Sequence, residues 1–160
     1  MLNDYLKKNK MTWIVLAPLL GGWLFQALMT RIPASGVLIW TIHLGFVVFW
    51  FWAGRQFSQM KKSTALSFVM GNSLWLICLL LFLWQFMLAG DESRSLVLAL
   101  MAQLYVLLIV GFGTQLQLLL TGSIDAAQII IMSYILMLLV FTAGFVYERV
   151  RKPKPENHTL

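Results

Sequence analysis

Apolar residues in this chain run in long blocks, and the charged positions fall between them. Cutting at Asp, Glu, Lys and Arg leaves five long uncharged stretches, spanning 11–30, 36–54, 64–89, 95–119 and 126–147. The central one, Ser63 to Gly90 (STALSFVMGNSLWLICLLLFLWQFMLAG), is bracketed by Lys61-Lys62 and Asp91-Glu92. A bilayer core of about 30 Å needs roughly 17–25 apolar residues as a helix, so each stretch has spanning length. There is neither the period-two alternation of a barrel strand nor an internal repeat. The pattern therefore predicts an all-α, polytopic helical membrane bundle forming a single domain over 1–160. Five transmembrane helices are preferred, with four plus a re-entrant or interfacial segment as the alternative. That alternative makes the fifth or the fourth stretch re-entrant, and the apolar pattern weakens in the fourth. It is apolar to Phe112 and then grades into Gly113-Thr114-Gln115-Leu116-Gln117.

Breakers refine the picture. Pro18 and Gly21-Gly22 predict a kink in the first span, tolerated where neighbouring helices re-satisfy the backbone. Ile32 to Gly36 reads as a turn, Arg55–Lys62 (RQFSQMKK) as a polar basic loop, and Asp91–Ser95 as a tight acidic loop. Residues 148–160, with Pro153 and Pro155, read as a solvated, flexible basic tail.

Composition agrees. Hydrophobic residues make up 60% and charged residues 11%, against about 45–50% and 25% in soluble domains. The basic first segment resembles a leader, but its apolar run lacks a small-x-small cleavage site, so it is read as an uncleaved span. The net charge of +6 sits beside apolar segments, which favours topology and anionic headgroups over nucleic acid.

Lys and Arg favour the cytoplasmic side, which places the N-terminus inside, in a plasma or cytoplasmic membrane. With five spans, Lys7, Lys8, Lys10, Arg55, Lys61 and Lys62 lie inside. Arg31, Arg94, Arg149, Arg151, Lys152 and Lys154 then lie outside with the tail. Six against six does not decide. The re-entrant alternative brings both termini to one side and gives ten against two. Insertion of copies both ways is a further alternative.

Candidate chemistry is sparse. No span holds an acid, Lys or Arg away from its ends, so a membrane proton relay has no residue to use. His43 is the one imidazole inside a span. It reads either as a haem or metal ligand, a proton carrier or a substrate contact, or as a neutral group bonded to a hydroxyl or carbonyl on a neighbouring helix, and the second reading is favoured. Cys78 is the only cysteine and can form neither an internal disulfide nor a metal site. H-E-x-x-H, CxxC, paired carboxylates and an assembled Ser-His-Asp set are all missing, so no catalytic residue, metal or cofactor is expected.

Uncharged polar residues (Gln26, Thr41, Asn72, Ser73, Gln85, Gln103, Ser133 and Tyr134) should face the bundle interior. Of these, Asn72 and Gln103, together with His43, are candidates for a polar path or for interhelical bonds. Arg55, Lys61 and Lys62 are candidates for contacts with lipid or a partner. Gly111-x-Gly113, Ala17-xxx-Gly21 and Thr41-xxx-Gly45 read as close-packing faces, and Trp13, Trp52, Trp40 and Trp84 as interfacial belts.

The expected function is a non-catalytic accessory or regulatory subunit acting through helix packing, with a membrane-protein partner or as a homo-oligomer. The alternative is a transporter or channel subunit for a small uncharged or weakly polar solute. A third reading puts a cofactor on His43 at a dimer interface.

Overall fold

The computed structural model describes residues 9–31, 35–88, 90 and 94–151. The regular structure there is all helical. Helix α1 (Lys10–Met29) runs unbroken through Pro18 and Gly21-Gly22. Helix α2 (Gly36–Ser58) is capped by Ser35, whose Oγ accepts from the Leu38 amide at 3.3 Å. It runs past Gly54, so Arg55 stands in its last turn and not in the expected loop.

The central stretch is not one straight helix. Helix α3 (Thr64–Gly71) and helix α4 (Ser73–Leu83, ending in a π-turn Trp84–Leu88) meet at Asn72 with a bend of 53°. Asn72 Nδ2 donates to the Phe68 carbonyl at 3.0 Å. A side-chain bond of this kind competes with the helical ladder and favours a bend. Helix α5 (Leu96–Val106), a 3₁₀ turn (Leu107–Ile109) and helix α6 (Val110–Thr121) follow, and Gly122 closes α6 at φ +65. Helix α7 (Ala126–Arg151) starts where the Gln128 amide donates to Asp125 Oδ1 at 2.8 Å.

Helices α1, α2 and α7, the bent α3–α4 pair and the α5–α6 stretch are each long and apolar enough to cross a membrane. Contacts decide how the last of these runs. Arg55, at the end of α2, pairs with Glu148, at the end of α7, so both termini of the described chain lie at one end of the bundle, here called the basic end. Ala126 and Ala127 open α7 at the opposite end, beside Phe82 and Phe86 of the α4 stretch. The entry to α5 is held there too, because the Ser95 amide donates to Gln85 Oε1 at 2.6 Å. The exit of α6 also lies there, since Gln117 Nε2 donates to Gln128 Oε1 at 3.0 Å and Gly113 abuts Ser133. Midway between, Leu108 reaches Gly21 of α1 and His43 of α2.

The α5–α6 stretch therefore enters the bundle, turns at Leu107–Ile109 and returns to the end it came from. The all-α bundle stands as expected. Of its two versions, the contacts match four long apolar segments plus a helical hairpin, and the C-terminal end of α7 lies beside the start of α1, not across from it. Among the described residues, Lys10, Arg55, Lys61, Lys62, Arg149 and Arg151 belong to the basic end, and Arg31 and Arg94 to the other. Lys7, Lys8, Lys152, Lys154 and most of the expected tail lie outside the described residues.

The core is aromatic: Trp50, Phe57, Phe82, Tyr105, Tyr134 and Phe141 are fully buried. Lipid tails are as apolar as these side chains, so close packing and hydrogen bonds must hold the helices together. Helices α2 and α7 supply both. Gly54 lies against the Phe141 carbonyl and Gly144 against the Phe51 carbonyl, where a β-carbon would collide with backbone. Trp50 Nε1 donates to the Met137 carbonyl at 3.0 Å.

Candidate functional site

The hairpin is one of the places where polar side chains lie inside the bundle. A cavity of about 470 Å³ lies between its limbs, lined by Gln103 of α5, by Val110 and Thr114 of α6, and by Phe82 and Phe86. The first residues of α7, from Ala126 to Ile130, close it. Thr114 satisfies its own hydroxyl by donating to the Val110 carbonyl at 3.0 Å. The Gln103 amide makes no side-chain hydrogen bond among the described residues.

Further polar atoms without a partner lie outside this lining. Gln85 Nε2, Tyr105 Oη and Gln117 Oε1 are among them, on residues that are themselves fully buried. An unpaired buried polar group costs about 1–3 kcal/mol, and native structures hold few of them.

At the tip, His43 Nδ1 lies 2.8 Å from the Leu108 carbonyl oxygen. A carbonyl only accepts, so Nδ1 carries the proton. The ring is 3% exposed and packs against Phe25, Trp40 and Phe112. A β-carbon on Gly111 would come within 2.7 Å of its Cδ2. Glycine at 111 thus admits the imidazole and glycine at 113 admits Ser133. His43 bonds a carbonyl on a neighbouring helix, the favoured of its two sequence readings, and braces the backbone where the helical ladder is interrupted.

His43, Asn72 and Gln103 do not converge. Asn72 sits at the α3–α4 bend with Oδ1 buried and unpaired, and Gln103 lines the hairpin cavity. Among the described residues no three His, Cys, Asp or Glu side chains gather as a metal-binding group.

The basic end holds a different constellation. Glu148 is 2% exposed; Arg55 Nε donates to its Oε2 and Gln59 Nε2 to its Oε1, both at 2.8 Å. The sequence reading placed Glu148 in a solvated tail, but α7 continues through it to Arg151. The signal for this pair was an acid and a base at the ends of two apolar stretches, visible only once those ends are known to adjoin. Of the three predicted contact residues, Arg55 is therefore engaged by Glu148. The Lys62 ammonium lies 3.2 Å from Met70 Sδ, and Lys61 is exposed.

No protein family, curated protein or solved structure matches this chain.

Proposed function

We propose that the protein is a transporter or channel subunit that takes a small uncharged, hydrogen-bonding solute into the hairpin. The observation that carries this reading is the cavity between the hairpin limbs, lined by Gln103 and Thr114 among apolar side chains. Broken backbone at membrane depth is tolerated where protein buries it or where it lines a cavity, and the hairpin does both. The excess of Lys and Arg at the basic end supports a cytoplasmic basic end, and on this reading the hairpin mouth opens to the far side of a plasma or cytoplasmic membrane.

Permeation of glycerol and urea into reconstituted vesicles, followed by stopped-flow light scattering, tests this. Wild-type protein should accelerate at least one of them, Gln103→Leu should lower that rate at least tenfold, and Asn72→Leu should leave most of it. A Gln103→Leu variant as fast as wild type, or wild-type vesicles no faster than empty ones, sinks the reading.

One observation favours a second role, as a non-catalytic accessory subunit. The α2 face formed by Val37, Thr41, Leu44, Gly45 and Val48 is exposed, and no atom lies within 4 Å of where a Gly45 β-carbon would stand. Such a small-xxx-small face admits another helix closely, from a partner or from a second copy. Purification in mild detergent should then recover a companion at fixed stoichiometry that Gly45→Leu releases.

A further inference from the structure

The hairpin cavity is large for the few polar groups it offers. Its volume of about 470 Å³ falls among sites for whole organic ligands, about 300–1,000 Å³. The lining has only two polar side chains, Gln103 and Thr114, and no charged one. Arg94 packs on the Phe86 ring, 5.4 Å from its centroid, with Nε donating to the Gln85 carbonyl at 2.9 Å, and it does not join the lining. An ionic solute would shed its hydration here without meeting a counter-charge, which disfavours anions and cations alike.

A polyol or urea meets a different difficulty. It leaves much of the cavity to water, and an enclosed water needs about two to four polar partners. The apolar side chains that make up the rest of the lining give none. An occupant that fills this space must bring an apolar body of its own.

The two polar side chains define the other end of that occupant. Thr114 commits its hydroxyl proton to the Val110 carbonyl, so its Oγ1 can only accept. Gln103 carries an acceptor and donors on one planar amide. A carboxamide presents the same pair in reverse and can make two parallel bonds to it. Phe82 and Phe86, stacked with centroids 4.7 Å apart and 28° between planes, belong to the wall. An aromatic ring packs against such a pair offset or edge-to-face.

We infer that the cavity selects an uncharged, ring-bearing amphiphile with a carboxamide edge, its amide on Gln103 and its ring against Phe82 and Phe86. This rests on the proposed reading of the cavity as a solute site and narrows the class of solute. Burying a phenyl-sized body contributes on the order of ten- to a hundredfold in affinity. Benzamide should therefore bind more tightly than acetamide, which has the same amide and no ring.

The full chain in mild detergent, carrying Cys78→Ala and Ala127→Cys, tests this. Ala127 lines the cavity and is partly exposed, so a methanethiosulfonate reagent should modify the new thiol and a bound solute should slow it. Benzamide should halve the rate at a concentration at least tenfold below that of acetamide. Gln103→Leu should raise the benzamide concentration required at least fivefold. With Ser123→Cys in place of Ala127→Cys, outside the cavity, neither solute should change the rate. Comparing the two amides needs no change at Gln103, so the test is decisive even where Gln103→Leu impairs folding. Equal protection by the two amides, protection by neither, or equal protection of Ser123→Cys overturns the inference. Glycerol or urea flux together with equal protection would overturn it and leave the transport reading standing, whereas benzamide protection without flux supports it and sinks that reading alone.

Discussion

At the basic end the one buried acid has both carboxylate oxygens bonded, to Arg55 and Gln59, whereas at the hairpin Gln85, Tyr105 and Gln117 each leave a buried polar atom without a partner. Both regions draw on the same apolar composition and both bury polar groups. They differ in what surrounds those groups. The ion pair joins α2 and α7, whose backbones approach through Gly54 and Gly144. Tyr105 and Gln117 belong to a segment that enters, breaks and returns, leaving a cavity between its limbs, and Gln85 to the end of the α4 stretch that holds its entry. A satisfied buried pair acts as a clamp, and a cavity with a polar side chain in its lining is what a binding site requires.

The sharpest way to break this comparison is to ask where Ser123 lies. In a Cys78→Ala background, Ser123→Cys should react with an impermeant maleimide from the same side as Arg31→Cys, and from the side opposite Ser63→Cys. The outcome is all or none, since five crossing helices would place Ser123 with Ser63. The next effect is on the clamp. Glu148→Ala strands the Arg55 guanidinium in a partly buried site and should lower stability by about 3–5 kcal/mol, read by thermal unfolding in mild detergent. A loss below about 1 kcal/mol, the range of exposed pairs, would show that the pair is not buried as described. The smallest change concerns the hairpin tip. His43→Leu leaves the Leu108 carbonyl without its donor and should destabilise by about 1–3 kcal/mol. Faster hydrogen exchange should appear around Leu107–Ile109 and not in α7. Uniform acceleration along the chain would mean that His43 does not act locally.

Much of the fold was legible in the sequence because uncharged length is a strong signal in a membrane setting. The predicted stretches match the helices closely, apart from extensions through Ser58 and Arg151. The bend at Asn72 was not anticipated, since a lone amide in an apolar run reads equally well as interhelical glue. The turn at Leu107–Ile109 was hidden more deeply. Its residues, Leu-Leu-Ile, carry no breaker, and the break is defined by what packs there: His43 against Leu108 and Gly111, and Leu108 against Gly21. Charge counting held the clue. Of the described Lys and Arg, six lie at the basic end and two at the other, an asymmetry in the direction of the re-entrant alternative, in which the fourth or the fifth stretch turns back. Gln103 and Asn72 were picked out as polar and His43 as titratable, but only tertiary structure separates the three onto different faces.

The hairpin also has a consequence for how the chain is made. By length and hydropathy, Leu96–Thr121 satisfies the requirements of a crossing helix. Its second limb rests on Gln128, Ile129 and Ser133, which a ribosome delivers only afterwards. The hairpin therefore depends on a segment still to come: a nascent chain halted at Asp125 holds a complete apolar stretch and none of the α7 surface against which it rests. The packing around the hairpin is complete only when α7 has been made and its end meets Arg55.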